Sequence, residues 1–118
     1  MESFKLTFAE IIKHDPYLAE VIVNEGVVIT TNLVKEFHQW INDNLDNPTY
    51  LLINRLNSYS YTVTSQRQMG NLDQIKSVAV VSYNEKSRLQ TKRLKSRNQG
   101  HWKLRQFDNV GDAMSWLY

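Results

Sequence analysis

The feature that most constrains the fold is the segment 77–83, SVAVVSY, which is an almost unbroken apolar run. A strand with one face in water alternates apolar and polar residues, whereas a strand covered on both faces is apolar throughout. The run is therefore predicted to be a central strand of a sheet that is packed on both sides.

Strand-like segments alternate with helical ones along the rest of the chain. In the segment SFKLTFAEII, the side chains of Phe4, Leu6 and Phe8 fall on one face of a predicted strand. Four further segments are predicted to form strands: LAEVIVNEG, VVIT, TYLLINRL and WKLRQF. Asp15-Pro16 and Glu25-Gly26 supply turn residues on either side of LAEVIVNEG.

Helices are predicted where the spacing of apolar residues changes from that of a strand to that of a helix. Apolar residues recur at helical spacing from Asn32 to Leu45, with Thr31 or Asn32 as the cap, and Asn47-Pro48 ends this helix. A short helix is predicted around Ser65 to Leu72. EKSRLQTKRLKSR is predicted to be a polar helix anchored by Leu89 and Leu94, and NVGDAMSWLY a closing helix capped by Asp108 or Asn109.

This order of elements predicts an α/β fold in one domain spanning residues 1–118. The early connections are too short for crossovers, so the N-terminal strands are expected to pair antiparallel. The later strands are separated by helices long enough for crossovers, so the second half is expected to be parallel. The predicted architecture is a single-layer mixed β-sheet with about four helices packed against it.

Composition excludes several classes of site. The chain has no cysteine, which rules out disulfides, thiolate chemistry and cysteine–zinc centres, and its 3 histidines lie far apart without ligand spacing. No metal site or cofactor is predicted. The N-terminus lacks the pattern of a signal peptide, and no apolar run approaches the length of a membrane span, so a cytoplasmic location is expected.

The basic residues are concentrated in one segment. Residues 86–105 hold 8 basic and no acidic side chains, whereas the total net charge is only +2. The segment is interpreted either as a solvated helix or as a surface for an anionic partner, such as an acidic protein or a membrane surface, with nucleic acid less favoured because few aromatic residues are interleaved. The patch residues are Lys86, Arg88, Lys92, Arg93, Lys95 and Arg97, with Lys103 and Arg105 following.

A cluster of hydroxyl side chains follows the strand TYLLINRL. Its residues are candidates for a ligand pocket, for a phosphorylation switch or for a cap on the next helix. The cap interpretation, with Thr62 or Thr64 as the cap and with Tyr59 and Tyr61 covering the end of the sheet, is favoured. The residues of this cluster are Asn57, Ser58, Tyr59, Tyr61, Thr62, Thr64 and Ser65.

No catalytic constellation is present in the pattern. A serine nucleophile needs a base and an orienting acid within reach, and neither His38 nor His101 has an acidic residue at a matching spacing. No glycine-rich phosphate loop occurs either. The sequence predicts that the protein is not an enzyme.

Three segments resemble the STAS domain, the fold named for sulfate transporters and anti-sigma factor antagonists, and in particular its SpoIIAA-like bacterial branch. These segments are GVVITTNLVKEFHQWI, IKSVAVVSY and RQFDNVGDAMSWL. The resemblance implies a regulatory module that works through protein partners. The anti-sigma antagonists of this family carry a phosphorylatable serine, and the gapless match places Val63 at that position, so the family's switch does not carry over.

The function expected from the sequence is a non-enzymatic regulatory or protein-interaction module. The alternative is a small-molecule or lipid-binding protein with a pocket at the strand ends near Tyr59 and Tyr61, by likeness to the architecture of CRAL-TRIO lipid-transfer domains. A homodimer is compatible with either interpretation.

Overall fold

The computed structural model describes residues 1–97 and 102–117. Its main sheet has six strands in the order β1-β2-β3-β5-β7-β8. The strands of this sheet are β1 (Glu2–Lys5), β2 (Ala9–Asp15), β3 (Leu18–Val23), β5 (Thr49–Asn54), β7 (Ile75–Val81) and β8 (Lys103–Phe107). A separate pair, β4 (Val28–Ile29) and β6 (Ser60–Tyr61), forms a small parallel ribbon.

The pairing confirms the predicted mixed sheet. The strands β1, β2 and β3 pair antiparallel, and β3, β5, β7 and β8 pair parallel. Four helices occur in the described residues: α1 (Thr31–Asn44), α2 (Val63–Gln68), α3 (Glu85–Arg97) and α4 (Val110–Leu117). Because parallel strands share one direction, β3, β5, β7 and β8 end along one edge of the sheet.

The central strand β7 is buried on both faces, as its composition requires. On one face, Val78 and Val80 pack into a large cluster that includes Phe37 of α1. On the other face, Ala79 and Val81 pack against α4 through residues such as Ala113. The apolar run in the sequence therefore reflects two separate packing layers.

The first strand of the prediction is wrong in one respect. The segment with Phe4, Leu6 and Phe8 is not one strand, because the chain turns between β1 and β2 and the Leu6 N–H donates to the Ala9 carbonyl at 2.8 Å. All three of these aromatic and aliphatic residues pack on the same core. Apolar residues thus continue through the turn, which lacks glycine and proline, so the pattern did not reveal it.

Two helix details also differ from the prediction. Thr30, rather than Thr31 or Asn32, caps α1 by accepting the Leu33 N–H. Leu94 of α3 is buried, but Leu89 is 45% exposed and does not anchor the helix. In α4, one of the two predicted cap residues is confirmed: Asn109 is the cap, since its Oδ1 accepts the Asp112 N–H at 2.8 Å.

Candidate functional site

The candidate site lies at the carboxyl end of β5, where the chain continues into Arg55. The Arg55 N–H donates to the Val81 carbonyl at 3.0 Å, which holds the backbone of Arg55 against the end of β7. Alternation along β5 then directs the side chain to the same face as Leu51 and Ile53. The guanidinium is consequently drawn into the apolar layer, and Arg55 is only 3% exposed.

The guanidinium of Arg55 is bonded only to neutral groups in the described part of the chain. Its Nη2 donates to Gln90 Oε1 at 2.6 Å and to the Tyr59 carbonyl at 3.2 Å, and its Nη1 donates to Thr91 Oγ1 at 3.4 Å. The plane of Tyr59 supports it as well, with the guanidinium carbon 4.2 Å from the ring centroid. Its Nε has no hydrogen-bond partner among residues 1–97 and 102–117. A buried cation normally has an anionic partner, and this one has none within 4.0 Å among the described residues.

A small cavity lies beside Arg55, between the sheet and the helices. Its volume is about 30 Å³, which is space for about one or two water molecules. Apart from Arg55, the two tyrosines and Thr91, the walls are apolar. They include Phe37, Leu51, Ile53, Val78, Val80 and Leu104.

Trp102 closes one side of this cavity and lies directly on Gly70. A Cβ atom on residue 70 would overlap the indole ring, so glycine is the residue that permits this close approach. Trp102 is half-buried and packs against the main core. The other two tryptophans, Trp40 and Trp116, pack in the two core clusters.

Tyr59 and Tyr61 lie in contact at the wall of the cavity. Their ring centroids are 5.6 Å apart and their hydroxyl oxygens are 3.4 Å apart. Burial raises the pKa of Tyr59, against smaller opposing effects of the Arg55 charge and the Tyr61 hydrogen bond. Burial, with a smaller contribution from Tyr59, raises the pKa of Tyr61 well above 10.0. Both phenols therefore remain protonated at neutral pH and act as hydrogen-bonding groups.

The other residues of the hydroxyl cluster are placed in several different environments. Thr62 caps α2, since its side chain accepts the Ser65 N–H. The Ser65 hydroxyl is fully buried and donates to the carbonyls of Ile29 and Thr62 at 2.7 and 2.9 Å. Thr64 and Ser58 are exposed. Asn57 is half-buried, and its amide donates to the Val23 carbonyl at 3.0 Å.

The basic residues of the predicted patch lie along α3. Lys86, Lys92, Arg93 and Lys95 are exposed, whereas Arg88 is half-buried and paired with Asp108 at 3.3 Å and Glu85 at 3.9 Å. The side chain of Arg97 lies outside the described residues. Lys103 and Arg105 are exposed on β8, away from the helix.

Two grooves at the surface meet at Gln90, the side chain that covers Arg55. One groove has a volume of about 180 Å³ and is lined by Ser60, Tyr61, Gln66, Gln90 and Arg93. The other has a volume of about 200 Å³ and includes Lys86 and Ser58 in its walls. The hydroxyl cluster and the basic helix, which are separate in the sequence, therefore share the walls of one region above Arg55.

Sequence reasoning did not identify Arg55, Gln90 and Thr91 as residues of the site. A signal for Arg55 was present, because a charged residue directly follows the apolar strand TYLLIN. Its burial depends on the packing of α3 over the end of β5. A contact between two elements so far apart in the chain is not indicated by any local sequence pattern.

The charged and polar side chains that line the cavity are Arg55, the two tyrosines and Thr91. Its lining contains no histidine, aspartate or glutamate in the described part of the chain. Across residues 1–97 and 102–117, no group of three or more metal-ligating side chains is clustered. Over the same residues, none of the helices has both the length and the apolar character needed to cross a lipid bilayer.

Comparison with solved structures shows that the fold is SpoIIAA-like. The chain is similar to an uncharacterized protein of the DUF3478 family from Shewanella loihica PV-4, described as having a SpoIIAA-like fold, with a TM-score of 0.62 and 14% identity over 100% of both chains. No family model and no curated protein matches the sequence. At this identity the likeness establishes the fold, which agrees with the STAS resemblance of the sequence.

Proposed function

We propose that the protein is a non-enzymatic binding module that takes a small, largely apolar molecule in the cavity between the sheet and the helices beside Arg55. The observation that carries the proposal is the cavity beside Arg55, where apolar walls surround a few convergent polar groups. This combination is typical of small-molecule sites. Arg55 directly follows the carboxyl end of β5, and open α/β sheets bind ligands at this end of their strands.

The cavity is small, so binding must displace part of its wall. Met69 lines the cavity and has a flexible side chain that adapts to new shapes. The grooves on either side of Gln90 supply a further 180 and 200 Å³ next to the cavity. A ligand that reaches the cavity from these grooves requires movement of side chains, with the sheet unchanged.

The absence of histidine, aspartate and glutamate from the described cavity lining supports a binding role. A nucleophile needs a base within hydrogen-bond reach, and Thr91 instead donates its hydroxyl proton to the Ser87 carbonyl at 3.0 Å. The two tyrosines keep their protons because their pKa values are raised. The site thus has groups that bind and orient a molecule.

The experiment is binding of the neutral fluorescent probe N-phenylnaphthylamine. We expect the probe to gain fluorescence with the wild-type protein and to lose this gain with Val80→Phe, which fills the cavity. Val63→Phe, at a position 56% exposed, is the matched control and should bind like wild type. Melting temperatures of both variants establish that they are folded. Equal fluorescence with wild type and Val80→Phe would overturn the proposal.

A protein partner is a second candidate, favoured by the exposed cations of α3. Lys86, Lys92, Arg93 and Lys95 have no ion pair within 4.0 Å among the described residues. An acidic protein surface complements them in charge. The proposal predicts a salt-sensitive complex that is captured from cell extract by the wild-type protein.

The variant for this candidate reverses Lys92, Arg93 and Lys95 to glutamate. The matched control reverses three exposed lysines elsewhere, namely Lys5, Lys35 and Lys76. Loss of the complex only with the α3 variant supports an α3 interface. Loss with both variants indicates a general charge effect, and retention with both rejects the interface.

A further inference from the structure

The guanidinium of Arg55 is a buried positive charge that has no acidic partner among the described residues. Removing a cation from water is costly unless a charged or strongly polar partner compensates. Arg55 is 3% exposed, and none of the ion pairs among the described residues involves it. The neutral oxygens of Gln90, Thr91 and Tyr59 satisfy its Nη atoms but leave its charge uncompensated.

Gln90 accepts from one of the two donors that a carboxylate uses on an arginine. Nε and Nη2 lie on the same edge of a guanidinium, and the two oxygens of a carboxylate accept from both atoms of such an edge. In this site Gln90 Oε1 accepts from Nη2 at 2.6 Å, whereas Nε has no partner. A carboxylate on this edge of Arg55 would accept from Nη2 with one oxygen and from Nε with the other.

We propose that the ligand is a monocarboxylate with an apolar tail, and that its carboxylate displaces Gln90 from Arg55. This inference rests on the proposed binding function and names the class of ligand. The carboxylate forms a bidentate pair with Nε and Nη2 of Arg55, and the tail lies along the apolar walls of the cavity. Gln90 is then the side chain that accepts from the guanidinium in place of the ligand carboxylate.

The surface around Gln90 provides a route for such an anion. The two grooves that meet at this side chain carry Arg93 on one side and Lys86 on the other, and both residues are exposed. Positive groove walls raise the local concentration of anions. Neither groove has an acidic residue in its described lining.

The experiment compares octanoate with octanol, which have the same chain length and differ in charge. Binding is measured by calorimetry and by the shift in melting temperature. We expect wild-type protein to prefer octanoate by about tenfold or more, since charge-assisted bidentate pairs are among the strong hydrogen bonds. Arg55→Met keeps the apolar bulk of the side chain and should remove this preference, while octanol binding persists.

Two substitutions of Gln90 are expected to change the affinity for octanoate in opposite directions. Gln90→Glu places a carboxylate on Arg55 from within the chain, so it should raise the melting temperature and weaken octanoate by about tenfold or more. Gln90→Ala frees the guanidinium and should tighten octanoate. Leu89→Glu adds the same charge on the exposed side of α3 and serves as the control, with octanoate binding close to that of wild type.

The outcomes separate this inference from the proposed function. Equal affinity for octanoate and octanol in wild type, or unchanged octanoate affinity in Gln90→Glu, overturns the carboxylate site and leaves the apolar pocket standing. Octanoate binding that survives Val80→Phe but is lost in Arg55→Met supports the anion site and rejects the pocket. Failure of both compounds to bind any variant overturns both. A preference for octyl phosphate over octanoate overturns the carboxylate assignment.

Discussion

At the scale of single residues, the hydroxyls of the cluster 58–65 differ in accessibility, and this limits which of them can be modified. Ser65 is fully buried and bonded to two carbonyls, whereas Thr64, its neighbour, is exposed. A phosphate group adds charge and bulk, so a modification that preserves the fold fits at Thr64 and does not fit at Ser65.

These two hydroxyls are predicted to differ in their effect on stability. Ser65→Ala removes a buried hydrogen bond and should lower the free energy of unfolding by about 1–2 kcal/mol. Thr64→Ala, at an exposed position, should change it by no more than about 0.5 kcal/mol. Urea unfolding of both variants measures the difference, and equal values would contradict the buried role of Ser65.

His38 is predicted to make stability depend on pH. Burial lowers its pKa below 6.5, against a smaller raising effect of its hydrogen bond to the Met69 carbonyl. The unfolded chain therefore binds the proton more readily, and the contribution of His38 is fully present above pH 6.5 and decreases as the pH falls through the window below that value. His38→Gln should flatten this part of the curve. Urea unfolding at several pH values, compared between the two proteins, tests it; parallel curves would reject the effect.

At the scale of elements, α3 is the helix whose sequence is most polar and whose packing depends on few residues. Leu94 is buried beside the cavity, whereas Leu89 points to the exposed side. Thr91 and Ser87 are buried polar residues on the inner side, joined by a hydrogen bond of 3.0 Å. This helix covers Arg55, so its docking decides whether the site is closed.

A matched pair of leucine substitutions tests how α3 docks. Leu94→Ala should lower the free energy of unfolding by about 2–5 kcal/mol, because it leaves a cavity in the core. Leu89→Ala should change it by no more than about 0.5 kcal/mol, because the side chain lies at the surface. Thermal and urea unfolding give both values. A larger loss for Leu89→Ala would mean that α3 presents a different face to the sheet.

At the scale of the whole molecule, a polar network ties together segments that are distant in the sequence. On the face of the sheet that carries α4, the Asn54 amide donates to Glu20 at 2.9 Å and accepts from the Tyr83 hydroxyl at 2.8 Å. The second carboxylate oxygen of Glu20 accepts from His14 at 2.9 Å. The network joins β2, β3, β5 and the segment after β7, and it satisfies the buried carboxylate of Glu20.

Removal of the central residue of this network is predicted to cost more than removal of its end. Asn54→Ala deletes two hydrogen bonds, one of them to a buried carboxylate, and should lower the free energy of unfolding by about 2–4 kcal/mol. Tyr83→Phe deletes one neutral hydrogen bond and should cost about 1 kcal/mol. Urea unfolding ranks the two, and the reverse order would show that Asn54 is not the centre of the network.

The fold class could be predicted from the sequence because most of the strands and helices show a local pattern of apolar residues. The run SVAVVSY, the helical stripe of α1 and the closing segment of α4 each reflect burial of a contiguous set of residues. The turn between β1 and β2 and the two-residue strand β6 were missed, because the first carries no turn residue and the second is too short for a period to appear.

The sequence by itself determined the alternation of strands and helices, the mixed pairing of the sheet, the double burial of β7 and the concentration of positive charge in α3. Tertiary structure alone decided the environment of Arg55. Its burial, its neutral partners and its free Nε arise where β5, α3 and the segment around Tyr59 meet. Periodicity reports which face of one element is apolar, whereas a site depends on the directions in which several elements bring their polar groups together.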